Sequence, residues 1–442
     1  MNISPSIFKY FFGYGVLIFP LFLLLGPLIS EVYLTLLVLF ALYYIHKENK
    51  FHFYKNKFVI FFFIFYISTL ISTIINFYNY DYAKSGILYF RIPLFSIAIW
   101  YALTKYDLFS KKIITFYIIF LSIIIIDSLI QFSFGKNTLG YNVISSRISS
   151  FFGDELILGG FLLRTLPFFL ICIILNDKFF NKKLNIIYCL IISLICVIIY
   201  LTGERSSFFL LILFFTTIFF SNKYLKKFII IITIFSIFFS FIISQFRSSN
   251  EINPATRMFV NTYSQLTAKA PHVTEKGEEQ NDKYKKKLFN KFYIFSHDHH
   301  GHYLLSYKIF KDFPILGTGP KGFRYLCRNK IYILENNYGC STHPHNTYIQ
   351  ILTSNGIIGF SLLIIVFLYL SIEIFRCKKK INNEKQFNKF MVAENVILCA
   401  IFVNFWPLIP TGNFFNNWLS MSYFYPIGFY LYFKFRNEKK LS

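Results

Sequence analysis

Apolar residues run through this chain in long blocks, separated by short polar stretches rich in lysine. A helix needs about 17 to 25 consecutive apolar residues to cross a hydrocarbon core about 30 Å thick, because each residue rises about 1.5 Å. Twelve segments meet or approach that length, near residues 8–25, 28–45, 58–76, 86–104, 113–134, 157–175, 184–201, 206–221, 228–244, 356–375, 391–409 and 418–435. The pattern predicts an all-α, polytopic membrane protein with about twelve transmembrane helices. Between the ninth and tenth segments the apolar rhythm stops, which divides the chain into residues 1–244 with nine spans, a large loop over 245–346, and three spans with a tail over 347–442.

Composition agrees with the pattern. Of 442 residues 55% are apolar and only 15% charged, whereas a soluble domain carries roughly a quarter charged residues. The net charge of +24 would suit a nucleic-acid surface only if basic residues interleaved with aromatics on a soluble face. Here they flank hydrophobic spans, so no nucleic-acid partner is expected. Their distribution sets the orientation instead: with a cytoplasmic amino terminus, the inner loops and tails hold 24 Lys and Arg, and the short outer loops hold only Lys84, Lys136, Arg147 and Arg205. Positive residues stay inside, so both termini are expected in the cytoplasm and the large loop outside it. Lys9 is followed by an apolar run past Leu25 with no small-residue cleavage site, so the first span should remain in the mature protein.

Within the large loop, His272 to Lys287 is charged and lacks apolar periodicity, which predicts an unstructured insert. An amphipathic pattern returns from Tyr303 to Phe313 and ends at Pro314. Polar groups then crowd toward the membrane, in Gly317-Thr-Gly-Pro-Lys-Gly-Phe-Arg324, Cys327, and Cys340-Ser-Thr-His343-Pro-His345-Asn346. From His345 to Phe375 the chain has almost no charge, and as one helix it would reach about 45 Å, too long for a bilayer. His345 must therefore lie at the outer interface, or enter on a short helix broken near Gly356. Either arrangement puts an imidazole beside lipid headgroups, where it can act as a general base on a hydroxyl or remain a surface histidine in a turn after Pro344.

Arginine within a bilayer is costly and marks function by default. Arg91 falls in the fourth segment, Arg164 in the sixth, and Arg205 at the outer end of the seventh in Leu201-Thr-Gly-Glu-Arg205. Arg147 lies on the same side. The planar guanidinium suits pyrophosphate, which makes Arg205, Arg91 and Arg147 candidate pyrophosphate ligands; the alternative for Arg91 and Arg164 is an interhelical pair. Two other signals are discounted. Gly317-x-Gly319-x-x-Gly322 matches a dinucleotide fingerprint as a string, but no parallel strand precedes it, so it reads as a backbone turn. His297, Asp298, His299, His300 and His302 match no familiar metal spacing and read as a polar loop; no metal and no cofactor is expected. Among seven cysteines only Cys327 and Cys340 lie on the oxidising side, which predicts a disulfide between them.

Taken together, Thr-Gly-Glu-Arg205, the Pro314 to Arg324 stretch and His345-Asn346-x-x-x-Gln350 followed by Gly356 and Gly359 resemble the O-antigen ligase and polymerase superfamily of membrane-embedded glycosyltransferases. The resemblance spans most of the chain and favours the ligase type. It implies metal-independent, inverting transfer of a glycan from undecaprenyl pyrophosphate to lipid A-core, or in a polymerase to another lipid-linked repeat, at the periplasmic face of the inner membrane. It assigns the catalytic histidine to His345 and the motif arginine to Arg205, with Asn346, Arg324 and His302 in support. Two positions depart from the family pattern: the Gly-Arg that opens the loop helix reads Gly301-His302, and the acidic residue before Gly356 reads Ser354. A polysaccharide flippase would have a similar span count, but needs a charged path open to both sides; no internal repeat of the transporter kind is visible.

Overall fold

The computed structural model describes residues 9–106, 108–176, 182–246, 254–260, 262–263, 295–332 and 339–441, without the side chains of 182–184, 256, 297 and 439–441. The predicted insert at 272–287 lies outside the described residues. Helices dominate, and the described residues hold only isolated β-bridges. They are α1 (Phe19–Leu25), α2 (Pro27–Lys47), α3 (Lys57–Ile75), α4 (Tyr80–Ile87), α5 (Arg91–Lys105), α6 (Lys111–Phe134), α7 (Leu158–Leu175), α8 (Lys182–Leu201), α9 (Arg205–Ser221), α10 (Lys226–Ile243), α11 (His297–Asp312), α12 (Gly322–Leu326), α13 (Thr347–Asn383), α14 (Lys389–Asn404) and α15 (Asn417–Leu441).

Among the described residues, seven helices are long and apolar enough to cross a membrane: α2, α3, the continuous Tyr80–Lys105, α6, α7, Lys226–Phe246 and α13. Residues Asn185–Leu201 and α9 are apolar but shorter. The other segments of the expected twelve are helical and short, interrupted or charged at one end. Residues 9–25 break into three pieces, α14 has 16 residues, and α15 ends in a basic turn. Local chemistry sets the helix ends. Pro27 occupies the first turn of α2, and the side chains of Asn56, Asn79 and Asn388 cap α3, α4 and α14.

Helix α7, apolar but for Arg164 and Thr165, lies at the centre, where nearly its whole length is buried against α6, α8, α9 and α14. By contrast α10 packs on α8 and leaves half of its residues exposed, as a helix with one face to lipid should. The loop between α6 and α7 is tied down by two buried α6 side chains. Asp127 accepts from Asn137, Thr138 and Ser150, and Gln131 accepts from the Ser149 and Ser150 amides. These bonds hold the segment that carries Arg147.

Helix α13 is broken at Gly356, which is one of the two arrangements that the length argument left open. Gly356 adopts φ 60° and ψ −158°, which separates Thr347–Asn355 from the rest of the helix. A break leaves carbonyls before it and amides after it without helical partners. The Pro314–Gly319 segment supplies them: Thr318 and Gly319 amides donate to the Thr353 and Ser354 carbonyls at 2.9 and 2.8 Å, and the Pro314 carbonyl accepts from Ile357 at 2.8 Å. No side chain fits at this contact, because a Cβ on Gly317 would lie 2.4 Å from the Ser354 carbonyl carbon and one on Gly356 2.2 Å from the Ile315 oxygen. Ser72 of α3 and Asn76 just after it donate to the Gly317 carbonyl, Tyr82 of α4 donates to the Thr318 carbonyl, and Asn355 donates to Thr69. Irregular backbone survives in a membrane protein when it is buried and paired in this way. The glycine string at 317–322 is thus a backbone plug in a broken helix, as its reading as a turn anticipated.

Candidate active site

The plug fixes the short helix Thr347–Asn355, and just before that helix, ahead of its cap Asn346, stands His345. Its backbone is left-handed, at φ 55°, and its carbonyl accepts from the Thr411 amide at 2.8 Å. Asn346 caps the helix by accepting from the Tyr348 and Ile349 amides, and its amide donates to the Pro407 and Ile409 carbonyls. One turn on, Gln350 donates to Asn413 and accepts from the Phe414 amide. Asn346 and Gln350 therefore pin α13 to the segment between α14 and α15. The work of these two side chains is positional.

Three further imidazoles surround His345. The His343 ring centroid lies 4.0 Å away, that of His302 5.0 Å away in a near-parallel stack, and that of His299 5.8 Å away edge-on. His299 and His302 both come from α11, three residues apart and so on one face. This helix starts at His297, capped by Ser296, six residues before the predicted amphipathic pattern. The histidine-rich stretch expected to be a polar loop is a helical turn aimed at the site. The side chain of His297 is outside the described residues. Among the described residues, no group of three or more His, Cys, Asp or Glu is arranged to hold a metal ion; the rings meet by faces and edges.

Burial pushes the His345 imidazole down to about 3, and the neighbouring imidazoles add to the effect. Burial likewise pushes His343 and His299 down to about 4. Charged neighbours contribute at both sides of the cluster: Arg324 disfavours protonation of His343, and Arg205 that of His299. At neutral pH the rings of His345, His343 and His299 are therefore uncharged. The Arg324 Nε is buried without a hydrogen-bond partner, while a backbone hydrogen bond to Thr411 opposes the fall in the basicity of His343. An unpaired polar atom of this kind is rare in a settled interior. Cys327 and Cys340 are bonded, with Cα atoms 5.2 Å apart, which joins the turn after α12 to the stretch of chain leading to His343.

Arginines gather beside the histidines. Arg205 begins α9, lies within Coulombic reach of Arg147, and donates to Thr262 at 3.3 Å. Arg147 donates to the Thr202 and Leu156 carbonyls and lies 3.5 Å from Glu204. Glu204 in turn accepts from the Gly159 and Gly160 amides at the start of α7, a favourable place for a carboxylate. A third guanidinium, Arg257, had no signal in the sequence, since it lies in a long loop with many basic residues. It donates to the Gly203 and Ser145 carbonyls and closes over the same turn. Arg91 stands elsewhere. Its fork is taken up by Glu31, at 2.7 and 3.2 Å, and by Asn417. Arg164 donates to the Gly160 carbonyl and faces the Tyr423 ring at 5.7 Å.

The stretch that carries His302, the plug, the disulfide, His345 and the helix break is one continuous piece of sequence, and it is the piece that matches a known family. Residues 302–364 match the family model described as O-antigen ligase. The match supports the O-antigen ligase superfamily for this chain, and with it a kind of function, the joining of lipid-linked glycans. A comparison with curated proteins finds no match. The matched region starts at His302 and ends past Gly356, so it takes in the imidazole pair and the broken helix, while Arg147, Arg205 and Arg257 lie outside it.

Proposed function

We propose that the protein is an O-antigen ligase-type, metal-independent glycosyltransferase of the bacterial inner membrane, which moves a glycan from undecaprenyl pyrophosphate to lipid A-core at the periplasmic face. The observation that carries this reading is the placement of His345 in a cluster of imidazoles, of which His299 lies in Coulombic reach of Arg205 and His343 in that of Arg324. In the step, the acceptor oxygen forms a bond to the anomeric carbon as the bond from that carbon to the pyrophosphate oxygen breaks, with inversion. The hydroxyl proton passes to His345. Negative charge grows on the departing pyrophosphate, and Arg205, with Arg147 and Arg257 behind it, faces that charge. Charge stabilisation of this kind is commonly the largest part of catalysis.

A depressed basicity suits the resting site. Neutral imidazoles hold the acceptor hydroxyl by accepting its hydrogen bond, and an incoming pyrophosphate raises their proton affinity by adding negative charge nearby. Donor arrival thus makes His345 a stronger base at the moment it is needed. The test is purified full-length protein given lipid-linked glycan and lipid A-core. Joined product that disappears with Arg205→Lys, in a variant that still inserts, supports the reading; longer lipid-linked polymer in place of joined product would make the protein a polymerase, and normal transfer by the Lys variant would remove the arginine's role.

A further inference from the structure

Among the clustered histidines, His299 and His343 meet the hydroxyls of Ser296 and Thr342 through Nδ1, whereas His302 meets a main-chain carbonyl. Its Nδ1 lies 2.7 Å from the Gly339 carbonyl. A carbonyl oxygen only accepts, so the His302 Nδ1 carries the proton of that bond. The Gly339 peptide has little freedom to move. It sits at φ +78°, and a Cβ there would come 2.3 Å from the Gly301 oxygen, so the two backbones are in contact one residue before His302. The residue after Gly339 is Cys340, bonded to Cys327. A glycine contact, an imidazole hydrogen bond and a disulfide therefore all act on the chain at Gly339 and Cys340.

We propose that His302 is a positioning residue for His345, and that the Cys327–Cys340 disulfide acts on glycan transfer through it by fixing the Gly339 carbonyl. The inference rests on the reading of His345 as the group that meets the acceptor hydroxyl. The two rings lie with centroids 5.0 Å apart and planes 26° apart, and His302 is 9% exposed. A ring held in that stack offers His345 its π face. When His345 takes a proton, the imidazolium gains a cation–π contact. Without the Gly339 acceptor, the His302 ring can turn, change tautomer or charge, and repel the proton His345 must take. The other charged and titratable groups around the pair are His299, His343, Arg205, Arg324 and Asp298; the hydrogen bond to Gly339 that orients the stack comes from His302.

Two measurements on the full-length protein test this. Nitrogen NMR of ¹⁵N-histidine-labelled protein in detergent should show the Nδ1–H tautomer for His302, and loss of that single tautomer in the Cys327→Ser/Cys340→Ser variant; an unchanged His302 signal would overturn the link. Transfer is then read as joined surface polysaccharide in cells whose own copy is deleted. His302→Ala should lower transfer on the order of 10²-fold, the scale of a misplaced reacting group. The double cysteine variant should lower it less, and adding it to His302→Ala should cost nothing further. Losses that multiply would mean separate routes and overturn the coupling. His302→Asn keeps an N–H for Gly339 but has no ring; it should fold as the wild type and transfer as poorly as His302→Ala. Full transfer by His302→Asn would reduce His302 to an anchor and overturn the proposal. His345→Ala runs beside these: if it transfers normally the underlying reading has failed, whereas if it is dead and His302→Ala is normal only this inference has.

Discussion

The two ends of the helix bundle treat positive charge in opposite ways. At the end away from His345, cations meet carboxylates. Lys105 and Lys50 bind Glu48 at 2.7 and 2.8 Å, Arg376 and Lys434 bind Glu373 at 2.7 and 3.4 Å, and Lys434 also donates to Tyr369. Such pairs settle the charge where it stands and anchor helix ends. At the histidine end, Arg147 and Arg257 donate to main-chain carbonyls of the turns they touch, and the contact of Arg147 to Glu204 is longer, at 3.5 Å. A carbonyl orients a guanidinium without cancelling its charge. Arg91, also at this end, is paired as closely as the cations of the far end, because Glu31 takes its fork. The difference is between cations held by close carboxylates and cations oriented chiefly by main chain.

The largest expected effect breaks this contrast at its centre. His345→Ala should lower turnover by about 10²- to 10⁴-fold, the usual worth of general acid–base assistance, with donor affinity largely kept. His343→Ala is a less neutral comparison than its neighbouring position suggests, since its ring is 4.0 Å from His345, and a smaller loss is expected. Single-turnover transfer and donor binding, measured in one lipid preparation, separate these outcomes; a loss explained wholly by weaker donor binding would make His345 a pyrophosphate ligand. Next in size is Arg205→Lys. An ammonium lacks the bidentate fork, and losing a charge-assisted hydrogen bond worth about 1.5–3 kcal/mol corresponds to roughly ten- to a hundredfold in rate. The same exchange at Lys434 (Lys434→Arg), in the carboxylate-paired end, should leave transfer near wild type.

Acid sharpens the comparison through stability. In the unfolded chain each histidine protonates near its ordinary value of about 6.5, while in the fold His345 is held at about 3 and His343 and His299 at about 4. Over the interval between, the unfolded state binds more protons, so stability falls as pH drops. The loss should begin near pH 6.5 and continue toward pH 4. Thermal unfolding of purified protein at pH 7, 5.5 and 4.5 measures it, with a His299→Asn/His343→Asn variant expected to lose less. Equal acid sensitivity in the variant would place the effect outside the cluster.

How far the site could be read from sequence depended on whether its logic was local. Helical segments were legible because apolar runs have a length set by the bilayer, and the break at Gly356 was legible because the run after His345 was too long to be one span. His345 followed from its position at the edge of that run. The plug was legible only as a turn, since its partners at Thr353 and Ser354 lie 35 residues on. His299 and His302 carried a usable signal, the three-residue spacing of one helix face, which was masked by a start of α11 in polar residues. Arg257 carried none. Arg91 was read as a candidate pyrophosphate ligand or an interhelical pair; the partner it has, Glu31, is sixty residues away and no local pattern points to it.

Arg91 supplies the smallest expected effect and the closest test of the contrast, because it differs from Arg205 in what surrounds it and not in kind. Arg91→Lys keeps a cation within reach of Glu31 and gives up the second contact to that carboxylate and the bond to Asn417. The two side chains, at 27% and 17% exposure, are only partly buried, and an exposed ion pair is worth about 0–1 kcal/mol. Transfer should therefore stay within a few-fold of wild type, and the variant should express and insert normally. Glu31→Gln is the sharper probe of the same pair, since it leaves the guanidinium without its carboxylate. If Arg91 only joins α5 to α2, Glu31→Gln lowers thermal stability and leaves the dependence of transfer on donor concentration unchanged. If Arg91 belongs with Arg205, removing Glu31 frees a cation for the donor and donor affinity rises. An Arg91→Lys loss as large as that of Arg205→Lys would place Arg91 with Arg205 as well, and the division between charge that is settled and charge that is kept would have to be redrawn to include α5.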